Sequence, residues 1–269
     1  MKSKRELANF RIIPTEFHSE GQLLRGDFLV PEGDGPFLGI CKFHGLPGSP
    51  DQVHGIASRL AEAGFLVLTF DFSGFRRSDG YFSLAREVKD AKNAISHLIE
   101  SDYSINNWVG VYGASYGGAV AVLAAVRDNR ISVVCLRAPV YDTLTFARSP
   151  YIQPAVEDLL QNSPDEMHGL SDPDIRKEIL ERMVEDSKKL NPIREVSSIA
   201  PRPLLIIAGD ADEDIDLVWV RRFFELAKEP KEMVVIEGAD HKLTDPKAFE
   251  KTVESVVTWF KHQSQSKSK

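Results

Sequence analysis

The chain has 269 residues, of which 42% are hydrophobic and 27% are charged, values close to the average for globular proteins. This composition excludes a largely disordered chain. Because α/β folds of about 250 residues are commonly single domains, we expect one domain over residues 1–269. The formal net charge of −7 and the lack of a basic stripe in the sequence argue against a nucleic-acid partner.

Residues 1–7 begin with positive charge but do not contain the apolar core of a secretory signal. Nor does any stretch of the sequence approach the roughly 18 apolar residues of a membrane helix. We therefore expect a cytoplasmic protein with no membrane partner. Cys41 and Cys135 lie inside apolar runs, which predicts that they pack in the core rather than form a disulfide or bind a metal.

The first elements are short alternating pieces in residues 11–30, punctuated by Gly21 and Gly26, which predict an antiparallel hairpin. After it, apolar runs of strand length alternate with stretches of helical period, which predicts crossover units and a mostly parallel, twisted sheet of about eight strands flanked by helices. The predicted strands after the hairpin occupy residues 38–43, 65–70, 109–112, 133–136, 204–208 and 233–236. The predicted helices occupy residues 52–63, 84–101, 117–127, 217–228 and 246–261.

The alternation is interrupted over residues 141–201, which are rich in Ser, Asp and Pro. This segment contains a helical piece at 175–190 and no convincing strand, so we predict a small helical cap inserted into the domain. The polar, low-complexity residues at the end of the chain predict a flexible tail over 263–269.

A serine flanked by glycines lies between the strand 109–112 and the helix that follows it. Residues 113–117 read Gly-Ala-Ser-Tyr-Gly, which places Ser115 at the centre of a G-x-S-x-G pattern. So tight a turn strains the backbone of the serine and tolerates no bulky neighbours, a need that Gly113 and Gly117 meet. The new helix also directs its N-terminal amides toward a developing oxyanion. The pattern therefore predicts Ser115 as a nucleophile.

A serine hydroxyl is a weak nucleophile unless a base takes its proton. Among the seven histidines, His241 is the best placed, because a short loop joins it to the end of the strand 233–236. If the strands are parallel, this loop leaves the sheet at the same end as Ser115. The sequence therefore predicts His241 as the general base.

The base needs an acid that fixes its tautomer and stabilises the imidazolium. Several carboxylates follow the strand 204–208 and compete for this role. Asp210 is close enough to the strand end to brace the turn, whereas Asp214 and Asp216 approach the following helix, whose N-terminus favours an acid. We predict Asp212 as the acid of the triad.

Two backbone amides are candidates for an oxyanion hole. The strand 38–43 runs into His44-Gly45-Leu46, a bend that can turn the Leu46 amide toward the nucleophile, and Tyr116 supplies the second amide. His44 has no Cys, His or Asp at metal-ligand spacing, so we expect it to hold this loop through hydrogen bonds.

Together these motifs resemble the α/β-hydrolase superfamily across nearly the whole chain, and the order Ser115, Asp212, His241 is the order of that superfamily. Within it, the sequence is similar to small esterases and serine aminopeptidase-like hydrolases, including cinnamoyl and feruloyl esterases, whose cap is inserted after the sixth strand. Their motif Asp-x-x-Gly-x-Gly-x-Ser matches residues 71–78, except that Arg76 replaces the second glycine. We expect Arg76 and Arg77 to be solvated.

The resemblance implies a serine hydrolase that cleaves small carboxylic esters through an acyl-enzyme intermediate, with neither cofactor nor metal. A peptidase or amide hydrolase with the same triad is one alternative, and a ligand-binding homologue without turnover is another. A haloalkane dehalogenase would have Asp, and a dienelactone hydrolase Cys, where Ser115 stands. The sequence leaves both a monomer and a homodimer open.

Overall fold

The computed structural model describes residues 9–48 and 50–265. At its centre is one eight-stranded sheet with the order β1-β2-β4-β3-β5-β6-β7-β8. The strands are β1 (Phe10–Ser19), β2 (Gln22–Pro31), β3 (Phe37–Phe43), β4 (Leu66–Phe70), β5 (Ser104–Ala114), β6 (Ile131–Arg137), β7 (Leu204–Gly209) and β8 (Lys231–Ile236). Strand β2 pairs antiparallel with β1 and β4, and all other neighbours pair in parallel. The predicted mostly parallel sheet is confirmed.

The predicted hairpin is formed by β1 and β2. Its two turn residues, Glu20 and Gly21, have φ angles of 47° and 81°, and such turns match the right-handed twist of paired strands. The sequence suggested that Gly26 interrupts a strand, but it does not. It lies inside β2, where a Cβ would collide with the carbonyl oxygen of Thr69, so this glycine allows β2 and β4 to pair closely.

Helices cover both faces of the sheet. They are α1 (Pro50–Glu62), α2 (Leu84–Glu100), α3 (Tyr116–Arg127), α4 (Thr143–Ala147), α5 (Ile152–Asn162), α6 (Pro173–Lys189), α7 (Pro192–Glu195), α8 (Leu217–Leu226) and α9 (Pro246–Gln265). Apolar residues of α1 and α9 form the core on one face, and those of α2, α3 and α8 form the larger core on the other. In the described part of the chain, no helix has the length and hydrophobicity of a membrane span.

Helix α9 is longer than the sequence predicts. Val256, Trp259 and Phe260 are buried against the sheet, and the helix continues for another turn to Gln265. Residues 263–265 of the predicted tail are helical, because the packing of the preceding turns against the sheet stabilises the last turn of α9. Residues 266–269 of that tail, and residues 1–7 with their predicted lack of a signal, lie outside the described residues.

The segment between β6 and β7 is helical, and its described residues contain no strand. The two ends of the inserted segment meet where Asn191 Nδ2 donates to Asp142 Oδ1 at 2.7 Å. Beyond Asn191, α7 and a 3₁₀ turn (Val196–Ser198) pack on α3 of the main layer. The insertion is thus divided at Asn191 into a cap and a return segment.

Hydrogen bonds and a backbone bridge join the cap to the start of α2 and to the loop after β4. Asp186 of α6 accepts hydrogen bonds from Ser83 Oγ at 2.7 Å and from the Ala85 amide at 3.1 Å, which satisfies donors at the start of α2. Met167 forms an isolated antiparallel bridge with Phe75, in the loop that follows β4. The cap therefore contacts the loop that carries the Asp-x-x-Gly pattern.

Candidate active site

Ser115 lies in a sharp turn between β5 and α3. Its φ and ψ angles are 53° and −122°, a conformation that costs a non-glycine residue about 1–3 kcal/mol. The surrounding backbone holds it there: the Ser115 amide donates to the Arg137 carbonyl, and the Ser115 carbonyl accepts from the Val140 amide, each at 2.9 Å. A Cβ on Gly113 would collide with the Gly117 carbonyl oxygen, so this turn requires the glycine.

His241 brings its imidazole between Ser115 and an acid. Its Nε2 lies 3.0 Å from Ser115 Oγ, and its Nδ1 lies 2.8 Å from Asp212 Oδ2. Because a carboxylate only accepts hydrogen bonds, Nδ1 carries the proton and Nε2 is the acceptor for the serine hydroxyl. Arg137 Nη1 donates to the His241 carbonyl oxygen at 2.6 Å and fixes the loop after β8.

The Asp212 side chain is almost fully buried, with 1% of its surface exposed. It accepts hydrogen bonds from the amides of Asp214 at 3.0 Å and Ile215 at 2.8 Å. Burial raises the pKa of Asp212, but the hydrogen bond and charge of His241 and the two amides outweigh that effect and lower it overall. Asp212 is therefore ionised in a position that orients His241.

The competing carboxylates of this loop have other roles. Asp210 accepts from the Gly238 amide at 2.6 Å, so it braces the turn as predicted, and Asp216 accepts from the Val218 amide at 2.7 Å at the start of α8. Asp214 is exposed, and one of its oxygens lies within 4.8 Å of ligand atoms of Asp212 and His241. These three groups could approach an ion, although Asp212 and His241 already use those atoms to bind each other.

The bend after β3 lies directly against Ser115. A Cβ built on Gly45 would be 3.2 Å from Ser115 Cβ and 3.7 Å from Ser115 Oγ, so the backbone that leads to Leu46 passes beside the hydroxyl. Tyr116 is the first residue of α3, and its amide has no acceptor within the helix. The structure thus places Gly45, which directly precedes Leu46, and Tyr116 beside Ser115.

His44 holds this bend, as predicted. Its Nδ1 donates to the Gly45 carbonyl at 2.8 Å, and its Nε2 accepts from the Phe72 amide at 3.0 Å. Burial, with the positive charge of Arg76 nearby, lowers the pKa of His44 to about 3. The neutral ring is therefore a structural link between the loops after β3 and β4.

The expectation that Arg76 is solvated is wrong. Only 12% of its side chain is exposed, and its Nε donates to Asp71 Oδ1 at 2.7 Å. Arg77 is half exposed and donates to the other oxygen, Asp71 Oδ2, at 2.9 Å, so it is also paired. The buried Asp71 attracts both guanidinium groups. The position of Asp71 at the start of the family motif was the one feature of the sequence that could have indicated these ion pairs.

A second buried cation was also missed. Lys42 is 4% exposed in β3, two residues before His44, and burial together with the charges of Arg76 and Arg137 lowers its pKa to about 7. The sequence signal for this buried cation is that Lys42 is the single charged residue in the apolar run 38–43. The two cysteines, by contrast, are buried free thiols whose pKa burial raises, which confirms their packing role.

Comparisons with known proteins identify the family of the chain. The model of the prolyl oligopeptidase family matches residues 53–267. The protein YfhR of Escherichia coli is 30% identical over 227 residues, which are 82% of this chain and 70% of YfhR.

Solved structures share the fold. A hypothetical protein of Pseudomonas aeruginosa, PA2218, superposes with a TM-score of 0.76 at 19% identity, over 96% of this chain and 95% of that one. Est1E of Butyrivibrio proteoclasticus, in a structure with bound ferulic acid, superposes with a TM-score of 0.74 at 19% identity, over 93% and 98%. The α/β-hydrolase fold expected from the motifs is confirmed.

Proposed function

This chain belongs to the prolyl oligopeptidase family of α/β-hydrolases, and we propose that it cleaves carboxylic esters of small molecules through an acyl-enzyme intermediate. The observation that carries the proposal is the relay Ser115–His241–Asp212, with hydrogen-bond distances of 3.0 and 2.8 Å. Nucleophile, base and acid in this order form the unit that activates a serine hydroxyl in such enzymes.

Acylation begins when Ser115 Oγ attacks the ester carbonyl carbon while its proton passes to His241 Nε2. The carbonyl electron pair moves to oxygen, and the amides of Leu46 and Tyr116 bind the resulting oxyanion. Asp212 stabilises the imidazolium without taking its proton. His241 then protonates the leaving alcohol oxygen, the carbon–oxygen bond breaks, and the acyl group remains on Ser115.

Deacylation repeats these steps with water. His241 takes a proton from the water molecule, whose oxygen attacks the acyl carbon, and the same two amides bind the second oxyanion. Collapse of this intermediate breaks the bond to Ser115 Oγ, which regains a proton from His241. The free carboxylic acid leaves, and the enzyme returns to its starting state.

The direct test compares Ser115→Ala with the wild type on p-nitrophenyl acetate and p-nitrophenyl butyrate. We expect kcat to fall by about 10⁴-fold or more, because the nucleophile is lost. Ser255→Ala is the matched control, since Ser255 lies on helix α9 and its Oγ donates to the Lys251 carbonyl. Equal turnover by wild type and Ser115→Ala would contradict the proposal.

A peptidase is the second candidate, and the oligopeptidase description of the matching family model favours it. The same three residues can cleave an amide when the amine leaving group receives a proton from His241. Comparing kcat/KM for aminoacyl and prolyl p-nitroanilides with that for p-nitrophenyl esters separates the two. A well-folded wild type that cleaves neither class would favour a ligand-binding homologue.

A further inference from the structure

Arg76 connects three parts of the molecule, one of which is the loop that passes beside Ser115. Its Nη1 donates to the carbonyl oxygens of Pro47 at 3.3 Å and Gly48 at 2.5 Å, both in the loop that follows β3. The same nitrogen lies 2.9 Å from Glu166 Oε2 in the cap, and Nε donates to Asp71. We call residues 44–48, which include Leu46, the oxyanion loop.

Asp71 forms an ion pair with Arg76 and holds its guanidinium group in place. This carboxylate is 4% exposed and divides its two oxygens between Arg76 and Arg77. Arg77 also donates through Nη2 to Asp27 of β2 at 3.1 Å. Two adjacent arginines therefore share one acid, but only Arg76 reaches the carbonyls beside Leu46.

The backbone of Arg76 is in a conformation that favours glycine. Its φ angle is 41°, and the motif it belongs to has glycine at this position in the family that the sequence resembles. A side chain kept at a strained position is a signal that its contacts matter at a functional site. Here those contacts are the two carbonyls, Asp71 and Glu166.

The loop after β4 contacts the oxyanion loop at both of its ends. His44, at the beginning, accepts from the Phe72 amide, and Gly48, at the end, accepts from Arg76. Leu46 lies between these two anchors. Its amide can meet the oxyanion only while the loop keeps this shape, since a donor must sit about 3 Å from the place where the charge develops.

We propose that Arg76 is a positioning residue: by binding the Pro47 and Gly48 carbonyls it holds the Leu46 amide beside Ser115, and through Glu166 it ties this loop to the cap. The cap side of this link is reinforced by backbone contacts, because the Arg76 amide donates to the Glu166 carbonyl at 3.3 Å and the His168 amide donates to the Gly74 carbonyl at 2.8 Å. The inference rests on the proposed function and deepens it.

The experiment compares Arg76→Gly with Arg77→Gly, which removes the same charge and the other half of the Asp71 pair. We expect Arg76→Gly to lower kcat on p-nitrophenyl acetate about 10- to 100-fold with KM within about threefold, because the loop supports a donor needed only in the transition state. The inhibition constant of phenylboronic acid, which forms a tetrahedral adduct on the nucleophile, should rise by the same factor as kcat/KM falls. Arg77→Gly should keep both within about threefold.

A second measurement does not depend on turnover. Hydrogen exchange followed by mass spectrometry should show faster exchange of the amides of residues 44–46 and 48 in Arg76→Gly than in Arg77→Gly or the wild type, because the amides of a released loop open more often. Millimolar guanidinium should slow this exchange and restore kcat in Arg76→Gly alone, since the ion can refill the vacated place beside Asp71.

The outcomes separate the two claims. A wild type without esterase activity contradicts the proposed function, whereas exchange that is unchanged in Arg76→Gly overturns the role of Arg76 whatever the reaction is. An active Arg76→Gly with unchanged kcat and boronate affinity also overturns it. If Arg76→Gly does not fold, Arg76→Lys carries the same test: one ammonium keeps the charge but cannot span Asp71 and both carbonyls.

Discussion

Replacing Asp212 with Asn tests how the buried acid contributes to the site. Asparagine keeps the size of the side chain and an acceptor for the amides of Asp214 and Ile215, so the loop after β7 should keep its fold. What disappears is the negative charge 2.8 Å from His241 Nδ1, whose attraction to an imidazolium is about 6 kcal/mol at an effective dielectric constant of about 20.

Part of this attraction is offset, because Asp212 already stabilises one tautomer of the neutral ring in the ground state. We therefore expect kcat on p-nitrophenyl acetate to fall about 10⁴-fold in Asp212→Asn, the loss known for the same change of a buried triad acid. Asp214→Asn is the matched control: its carboxylate is exposed and within 4.8 Å of the site, so solvent screens its charge and we expect less than about a fivefold loss.

The assay is steady-state hydrolysis at pH 7 and 8, with thermal unfolding of each variant measured alongside. Asp212→Asn should unfold at nearly the same temperature as the wild type while losing turnover. If Asp212→Asn retained more than about a tenth of kcat, or if Asp214→Asn lost as much as Asp212→Asn, the assignment of Asp212 as the acid would be wrong.

Two further predictions concern stability. Burial lowers the pKa of Lys42 to about 7. Between about pH 7 and 10, Lys42 is therefore protonated in the unfolded chain and largely neutral in the folded one. Because the unfolded chain binds more protons, the free energy of unfolding should rise with pH by up to about 1.4 kcal/mol per pH unit. Lys42→Met should remove this slope in urea titrations at pH 7 and 9, and an unchanged slope would refute it. Gly117→Ala should lower the free energy of unfolding by more than about 2 kcal/mol, since its Cβ would collide with the carbonyls of Phe43 and His44; chemical denaturation at wild-type values would contradict this.

Much of the fold could be predicted because its signals are local. The strands after the hairpin are short apolar runs. The turn around Ser115 needs glycines at 113 and 117 for steric reasons, and this pair of glycines is visible in the sequence. The loops with Asp212 and His241 each follow such a run, and parallel strands bring their ends to one edge of the sheet. Local pattern and chain order were therefore enough to identify the residues that the structure brings together.

What the sequence did not predict depends on tertiary contacts. Arg76 and Arg77 look like solvated loop residues because the motif that begins at Asp71 does not itself reveal that this carboxylate is buried and pairs with both of them. Strand β5 begins at Ser104, not at Val109 as predicted. The sequence did not reveal this start because Ser104 is polar and joins the sheet only by pairing with Phe37 of β3. Lys42 breaks an apolar run, but its burial arises from the packing around β3. Such features follow from neighbours that are distant in sequence.

The central claim is that Ser115 carries the acyl group, and its most direct measurement is to locate the covalent adduct. The wild type is incubated with a fluorophosphonate or with p-nitrophenyl acetate under rapid acid quench, and the modified peptide is identified by mass spectrometry. We predict one adduct per chain, on Ser115, that is lost in Ser115→Ala and forms far more slowly in His241→Ala. An adduct on another residue, or none on folded wild-type protein, would contradict the account.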